Sequence, residues 1–447
     1  MKRILILGAG RSSRELIAYL LKNTQEYDWN ITIADYGKID FAPNERLKIK
    51  QLDINIAAAR EKEVKNADLV ISMLPARFHL LVAESCIKFS KNMLTASYET
   101  EEMKSLEHAV QEKGLFFLNE CGLDPGIDHM SAMKIIDRIK SDGGELVSFE
   151  SFTGGLVAPE SDDNPWHYKF SWNPRNVVMA GHNGPARFIQ NGKFKYIPYH
   201  RLFRRTELIE IEDYGWFEGY ANRDSMKYIE KYHLQGIPTI YRGTLRRPGF
   251  SRAWNIFVQL GATDDSYLMK DVENMTNREF INSFLYYHPT DSVELKLYHY
   301  MHIDHDSDII QKLNWLGIFS NDKIGLKEGT PAQILEHILK KKWLLHPEDK
   351  DMIVMWHCFE YREKGADKIS KLSSSLVVKG ENSEDTAMAK TVGLPLGVAA
   401  KLYLTGRFNL KGMFLPTIPE IYLPILDELE NNGIQFKEKI ECFNRYQ

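Results

Sequence analysis

The first third of the chain alternates between short apolar runs and longer amphipathic ones. Residues 3–7 carry a short unbroken apolar run, the mark of a strand buried on both faces. Residues 12–23 then place Leu16, Ile17, Leu20 and Leu21 on one helical face, and Ser12 with Glu15 fits a capping box at its start. Further strands are predicted over 31–34, 48–52 (weaker), 69–73, 92–96 and 115–118, with helices over 79–88 and 101–113. Strand and helix in strict alternation imply a parallel sheet wound on both faces. Pro125 and Gly126 break the chain after the sixth strand, and a helix from about 129 to 141 follows with Asp128 placed as its N-cap. Later, residues 313–319 read as a buried helix-to-turn step with Gly317 near the C-cap, and Gly393-Leu394-Pro395 reads as a helix stop.

The turn after the first strand is Gly8-Ala9-Gly10-Arg11-Ser12-Ser13, a G-x-G-x-x-G pattern with Ser13 in the third glycine position. Gly8 permits the tight turn, and Gly10 lets a pyrophosphate approach backbone N–H groups at a helix N-terminus. Its place between a buried strand and a helix makes it a dinucleotide-binding signal. Asp35 ends the second strand, where a carboxylate accepts ribose hydroxyls and repels a 2′-phosphate, so NAD(H) is expected over NADP(H). Lys38 and Arg11 could still offer a phosphate positive charge.

Length and composition narrow the picture further. At roughly 150 residues per domain, 447 residues imply about two or three domains. Lys and Arg number 57 against 61 Asp and Glu, a balance that argues against a general nucleic-acid binder. Cys86, Cys121, Cys358 and Cys442 lie far apart with no CxxC pair, which reads as reduced thiols and a cytoplasmic location. The N-terminal apolar run is too short for a signal peptide, and no stretch of about 18 apolar residues suggests a membrane span. The 21 Tyr, 22 Phe and 8 Trp fall largely in 166–172, 196–203 and 271–364; only the first stretch is expected to wall a site.

The middle of the chain carries VISMLPARFH from Val70, TASY from Thr95, GLDPGIDHM from Gly122, GGLVAPESDDNP from Gly154, YKFSW from Tyr168, NRDS from Asn222, GTLR from Gly243, NWLGIFS from Asn314 and AMAKTVGLP from Ala387. In this order the chain resembles the saccharopine dehydrogenase (saccharopine reductase, L-glutamate-forming) family over nearly its whole length. The resemblance implies an α/β fold: a Rossmann-type doubly wound parallel sheet plus a mixed-sheet α+β catalytic domain with an inserted α-rich domain. The implied bounds are 1–123 for the dinucleotide domain, with a returning helical segment near 385–415. The catalytic domain would span 124–248, continued near 367–384 and 416–447, and the insert 249–366. A homodimer is also implied, with a small amino-acid substrate.

The implied reaction interconverts L-saccharopine, NAD(P)+ and water with L-glutamate, 2-aminoadipate 6-semialdehyde and NAD(P)H. Saccharopine has three carboxylates and two amine nitrogens, so its site needs several Arg, a carboxylate for an amine and a proton-exchanging group. The resemblance assigns substrate contacts to Ser97, Tyr98, Asp124, Arg223, Thr244, Leu245 and Arg246, with Arg175 a further candidate. It assigns the cofactor to Gly10, Arg11, Ser12, Asp53, Ile54, Leu74, Ala96, Leu123 and Pro125; Gly8, Asp35, Ser97 and Asp124 join them. Thr153 stands where fungal relatives typically have cysteine and cannot titrate near neutral pH, which leaves Asp124, Tyr98 or water as the proton-exchanging group, with Asp128 and His129 behind them. Arg201, Arg204 and Arg205 read as a solvated strand face.

Two rival enzymes fit the same signals, lysine 6-dehydrogenase and carboxynorspermidine dehydrogenase, and a non-catalytic dinucleotide sensor is the alternative of another class. No metal is expected. Asp304-His305-Asp306-Ser307-Asp308 opens like a calcium loop but has Ile309 where glycine is needed and Trp315 where glutamate is needed. His299, His302 and His305 have helical spacing without a fourth ligand.

Overall fold

A computed structural model describes residues 1–182, 184–304, 307–365 and 369–443. Six parallel strands build the first sheet in chain order: β1 (Lys2–Leu7), β2 (Trp29–Asp35), β3 (Leu47–Gln51), β4 (Leu69–Ser72), β5 (Asn92–Thr95) and β6 (Phe116–Leu118). On β1 the side chains alternate between two cores: Ile4 and Ile6 join one cluster, Leu5 and Leu7 another. That two-sided burial explains the unbroken apolar run, and each such side chain contributes about 1.5–3 kcal/mol.

A mixed sheet of nine strands follows. Its strands are β7 (Glu145–Val157), β8 (Ala186–Gln190), β9 (Lys193–Ile197), β10 (Glu207–Ile211), β11 (Gly215–Ala221) and β12 (Thr239–Arg246). A short pair, β13 (Met269–Lys270) and β14 (Glu328–Gly329), stands apart among the helices that come next. The mixed sheet resumes with β15 (Asp351–Arg362) and β16 (Ile369–Lys379), while β17 (Gly412–Phe414) joins the first sheet beside β6, and β18 (Lys437–Phe443) closes the mixed sheet. β12 runs parallel to β7, and β15 runs antiparallel between β7 and β16. The helical stretch expected as far as residue 366 therefore ends in a sheet strand. Met352, Ile353, Val354 and Met355 are fully buried, and an apolar run buried on both faces suits a strand.

One core joins the first sheet, the helix Ile127–Ser141 and one face of the mixed sheet, through Ile6, Leu16, Ile136, Phe149 and Ile353. Another joins the opposite face of the mixed sheet to the helices between 250 and 343, through Phe152, Phe250, Trp254 and Trp343. Trp166 and Phe170 belong to that second core, with the Trp166 and Trp343 rings 5.2 Å apart, so they do not wall a cleft. Arg201 lies on the helical turn Tyr199–Leu202 and Arg204 and Arg205 in the loop beyond it, not on a strand face. No helix of the described residues is long and apolar enough to cross a membrane.

Three local expectations are corrected. Gly393-Leu394-Pro395 does not stop a helix: Ala387–Leu404 is one helix with Pro395 inside it. Tertiary packing overrides the local signal, because this helix lies against the helix Arg14–Tyr27 so closely that a Cβ on Gly393 would stand 2.9 Å from the Leu16 nitrogen and the Ser12 oxygen. The capping box at Ser12 is absent, since a single 3₁₀ turn over Arg11–Ser13 precedes the helix and the Ser13 hydroxyl donates back to the Gly10 carbonyl at 2.7 Å. Asp128 is not the N-cap either: the helix begins at Ile127, and Asp128 accepts the Gly126 N–H at 2.6 Å from inside its first turn.

Candidate active site

The loops at the carboxyl ends of β1–β6 face the mixed sheet. Gly8 sits at φ +101, and a Cβ there would meet the Met73 carbonyl oxygen at 2.8 Å, so the β1 turn requires glycine. A Cβ on Gly10 would meet no protein atom within 4 Å, the clearance a pyrophosphate needs beside backbone N–H groups. Arg11 is exposed on the same turn and Ser12 half-buried. Asp53 and Ile54 follow β3, Leu74 follows β4, Ala96 and Ser97 follow β5, and Leu123, Asp124 and Pro125 follow β6. All the residues expected to hold a dinucleotide thus lie along one sheet edge, and the glycine turn fits the group.

Asp35 does something other than expected. Its Oδ2 accepts the Ala9 N–H and its Oδ1 the Gly37 N–H, each at 2.7 Å. The carboxylate braces the glycine turn against the loop after β2, while Arg11 and Lys38 stay exposed on these two loops.

Asp124 is the hub of the cleft. Its Oδ1 accepts the Tyr98 hydroxyl at 2.7 Å and Arg242 Nη2 at 2.8 Å. The same Nη2 donates to Asp128 Oδ2 at 2.7 Å, and the Arg242 guanidinium lies 3.8 Å from the Tyr228 ring centroid. Burial pushes the Asp124 carboxyl up, but Arg242 and the Tyr98 hydroxyl outweigh it and leave it below the usual carboxylate range. Asp128 is held above that range, by burial first and by the Asp124 charge as well. Burial also raises the Tyr98 phenol, helped by the carboxylate it donates to, so Tyr98 stays protonated. Arg223 stacks over Tyr98, 4.9 Å from its ring centroid.

Arg246 contrasts with Arg242 in lacking a carboxylate partner, although the buried Nε of each is without a hydrogen bond. It is 4% exposed, its Nη1 donates only to the Leu245 carbonyl at 2.7 Å, and its buried Nε has no partner. Its guanidinium lies 5.0 Å from the Tyr168 ring centroid and 5.4 Å from that of Phe250. Among the described residues no carboxylate pairs with it. A buried cation without an anion is costly to keep, and it marks where a ligand anion would sit. Thr244 lies on the same face of β12, opposite Tyr220 and Thr153, and the Thr153 hydroxyl is also buried without a partner.

Two candidates are not brought in. The Leu245 side chain points through the sheet into the second core, and Arg175 is tied to Asp265 and Glu336. His305 and Asp306, on which the calcium-like and three-histidine spacings depend, lie outside the described residues; no group of three or more metal-ligating side chains occurs among the described ones.

Several residues of the site escaped sequence reading. Arg242 is one, although strand parity puts it on one face of β12 with Thr244 and Arg246. His79 is another: its Nε2 meets Ser97 Oγ at 2.7 Å and its Nδ1 meets Ser72 Oγ at 2.8 Å, which fixes the Ser97 hydroxyl. Beneath the Tyr98 loop, Glu120 pairs with His129 Nε2 at 2.7 Å and with Lys231 at 2.7 Å. The partners come from segments far apart in sequence, and no local pattern announces them.

A glycine-turned parallel sheet whose carboxyl edge faces a mixed sheet bearing buried arginines defines a dinucleotide-binding class of protein with a second, mixed sheet across the cleft. Residues 4–118 match the saccharopine dehydrogenase NADP binding domain, and residues 122–434 the saccharopine dehydrogenase C-terminal domain. The chain belongs to the saccharopine dehydrogenase family. It is 33% identical over 454 residues to saccharopine dehydrogenase (NADP(+), L-glutamate-forming) of Schizosaccharomyces pombe, covering 98% of this chain and 99% of that one. It is 36% identical over 452 residues to the mitochondrial alpha-aminoadipic semialdehyde synthase of Rattus norvegicus, covering 97% of this chain but 47% of that protein. The chain thus spans about half the length of the mammalian relatives it matches. The solved apo saccharopine dehydrogenase (L-Glu forming) of Saccharomyces cerevisiae superposes with a TM-score of 0.87 at 32% identity, over 99% of this chain and 100% of that one.

These matches overturn the expected NAD(H) preference. The matching domain is an NADP binding domain and the fungal relatives are named for NADP(+). Asp35 has a bracing role of its own, accepting one backbone N–H at each oxygen, so a carboxylate at the end of β2 does not by itself report which dinucleotide is bound.

Proposed function

We propose that this chain interconverts L-saccharopine and water with L-glutamate and 2-aminoadipate 6-semialdehyde, using NADP(H). The carrying observation is the charge pattern of the cleft. Arg246 is buried without an anion, while four residues earlier on the same strand face Arg242 is ion-paired with Asp124 and Asp128. A ligand with a carboxylate at one end and an amine further along suits that order.

The glycine turn and the loops after β3–β6 would hold the dinucleotide, with Arg11 and Lys38 available to its 2′-phosphate. When bound, the dinucleotide would supply the acceptor for the hydride that leaves the carbon beside the secondary amine nitrogen. The protein then has three tasks. Arg246 binds one substrate carboxylate, and Arg223, exposed above Tyr98, binds another. Asp124 pairs with the secondary amine and with the iminium left after hydride loss, through Oδ2, which has no hydrogen-bond partner among the described residues. Water adds to the iminium carbon, one proton passes from the added oxygen to nitrogen, and the C–N bond breaks as the remaining O–H proton leaves to solvent, giving the aldehyde and the amine of glutamate. Tyr98, a protonated phenol, orients Asp124 rather than titrating.

Three units make up this enzyme: the first sheet with its returning segment, the mixed sheet, and the helices between 250 and 343. A cytoplasmic homodimer completes the reading. Cys86, Cys121 and Cys358 are buried free thiols, which suits a reducing compartment, and exposed Phe194, Tyr196, Leu208 and Trp216 offer apolar surface to a second copy. Light scattering of the purified protein tests the dimer.

The test of function is a nicotinamide absorbance assay with saccharopine, lysine or carboxynorspermidine, each with NADP or NAD. Saccharopine-dependent NADP reduction supports the reading. Reduction driven only by lysine or carboxynorspermidine refutes it, and tight NADPH binding without any turnover would favour a sensor.

A further inference from the structure

Asp124 and Asp128 lie on either side of one guanidinium nitrogen, and Arg242, 3% exposed, is the only cation among the described residues in ion-pair contact with either. Two carboxylates against one guanidinium leave one net negative charge in a buried place. Without the guanidinium, neighbouring buried carboxylates cannot both ionise and would share a proton. The geometry is also directional. Arg242 and Tyr98 both bind Oδ1 of Asp124, which leaves Oδ2 open to the cleft. Asp128 is anchored separately by the Gly126 N–H, so it cannot swing to compensate.

We propose that Arg242 is a positioning residue for the reaction: it clamps Asp124 against Asp128, keeps Asp124 anionic and aims Oδ2 at the substrate amine. The proposal rests on the saccharopine reading. The net negative charge that remains is the one a protonated amine or iminium neutralises. The other groups around the carboxylate do not replace Arg242. Tyr98 donates a neutral O–H, and Tyr228 presents only its ring to the guanidinium. His129 is engaged by Glu120 and the Tyr232 hydroxyl, and His357 by Ser131 and Ser151. Arg223 lies over the Tyr98 ring rather than on the carboxylate.

The test is the pH profile of kcat/KM for saccharopine with NADP, in the full chain. Arg242→Met is expected to move the acid limb up by about 1–3 pH units, the range by which a nearby cation depresses a carboxylate. Arg242→Lys should recover most of that shift, and the KM for NADP should stay within a few-fold. Asp128→Asn alone leaves one carboxylate for the guanidinium and should move the limb down. In the Arg242→Met background, Asp128→Asn should restore the limb toward its original position, which a merely structural role would not do. An unmoved limb in Arg242→Met, or an upward shift in Asp128→Asn, overturns the proposal. Should Arg242→Met fail to fold, the Asp128→Asn profile decides alone. Wild-type protein inactive on saccharopine would defeat the functional reading instead, so the two failures are distinguishable.

Discussion

Gly393→Ala should loosen the protein at the joint between the returning helix and the dinucleotide turn. The new Cβ would stand 2.9 Å from both the Leu16 nitrogen and the Ser12 carbonyl oxygen, and 3.2 Å from the Leu16 Cβ. Two of these atoms are backbone, so no side-chain rotation relieves the contact, and the two helices must part by a few tenths of an ångström. Overpacking of this kind costs about 1–3 kcal/mol. Replacing a mid-helix glycine by alanine returns roughly 0.5–1 kcal/mol through lower backbone entropy in the unfolded chain. The net expectation is about 1 kcal/mol of destabilisation, which in a cooperative unit of 150–250 residues lowers Tm by about 2–4 °C. Scanning calorimetry checks it. Because Ser12 opens the proposed pyrophosphate site, the KM for NADP should rise as well. Gly397→Ala serves as the comparison: its Cβ would meet the Tyr19 ring at 2.8 Å rather than backbone of the glycine turn, so it should cost stability while leaving NADP affinity nearer wild type. A Gly393→Ala protein with unchanged or higher Tm and unchanged NADP affinity would refute the close-packing argument.

Replacing Arg246 by Met should separate function from stability: kcat/KM for saccharopine falls at least about 30-fold, from losing roughly 2 kcal/mol or more of buried charge pairing, while the ligand-free protein keeps or gains Tm; a lower Tm with intact kcat/KM would contradict it. Two buried groups should each cost stability in acid, over different pH ranges. Burial lowers His79 from 6.5 to about 4, so the unfolded chain binds the extra proton between those values and stability falls as pH drops through them, by at most roughly 3 kcal/mol. Glu120 is pushed up by burial but brought down to about 2 by His129 and Lys231, so its contribution is present above pH 4.5 and lost as pH falls toward 2. Denaturant midpoints measured from pH 7 to 3 check both; burial also lowers His357 to about 3 and raises Glu150 and Asp351 to about 7 and about 6, so the His79 part is read as the difference between wild type and His79→Gln, which should change between pH 6.5 and 4 and stay constant above and below. Asp35→Ala frees the N–H groups of Ala9 and Gly37 and should weaken NADP and NAD binding together; a selective gain for one dinucleotide would show that Asp35 does read the ribose.

The parts of the fold that sequence reading recovered are those written in local periodicity. The buried runs of β1 and β4 carry apolar residues on both faces because both faces are covered, and that leaves a continuous signal. What it misread depended on partners remote in the chain. The glycine and proline at 393 and 395 are helix breakers locally, yet here the missing Cβ admits the helix Arg14–Tyr27. Asp35 has the position of a ribose ligand, but its bonds to Ala9 and Gly37 join two loops no pattern connects. Arg242 shares a strand face with Thr244 and Arg246; only the arrival of Asp124 and Asp128 from more than a hundred positions away shows what it does.

That shared strand face also bears on substrate length. Arg242 and Arg246 are four positions apart on β12, about 13 Å along an extended strand. In saccharopine six bonds of about 1.5 Å separate the secondary nitrogen from the α-carboxylate carbon of the lysine-derived half, a zigzag reach of roughly 7–8 Å. Charge-assisted hydrogen bonds of about 2.8 Å, one to Asp124 and one to Arg246, bring the span to about that of the strand. The α-carboxylate of the glutamate half is two bonds from the nitrogen and would fall well short of Arg246 with the amine on Asp124. On the proposed saccharopine activity, the lysine-derived carboxylate is therefore the better occupant of the Arg246 pocket. The glutamate half is left nearer Tyr98 and Arg223, on the side where the cleft is open.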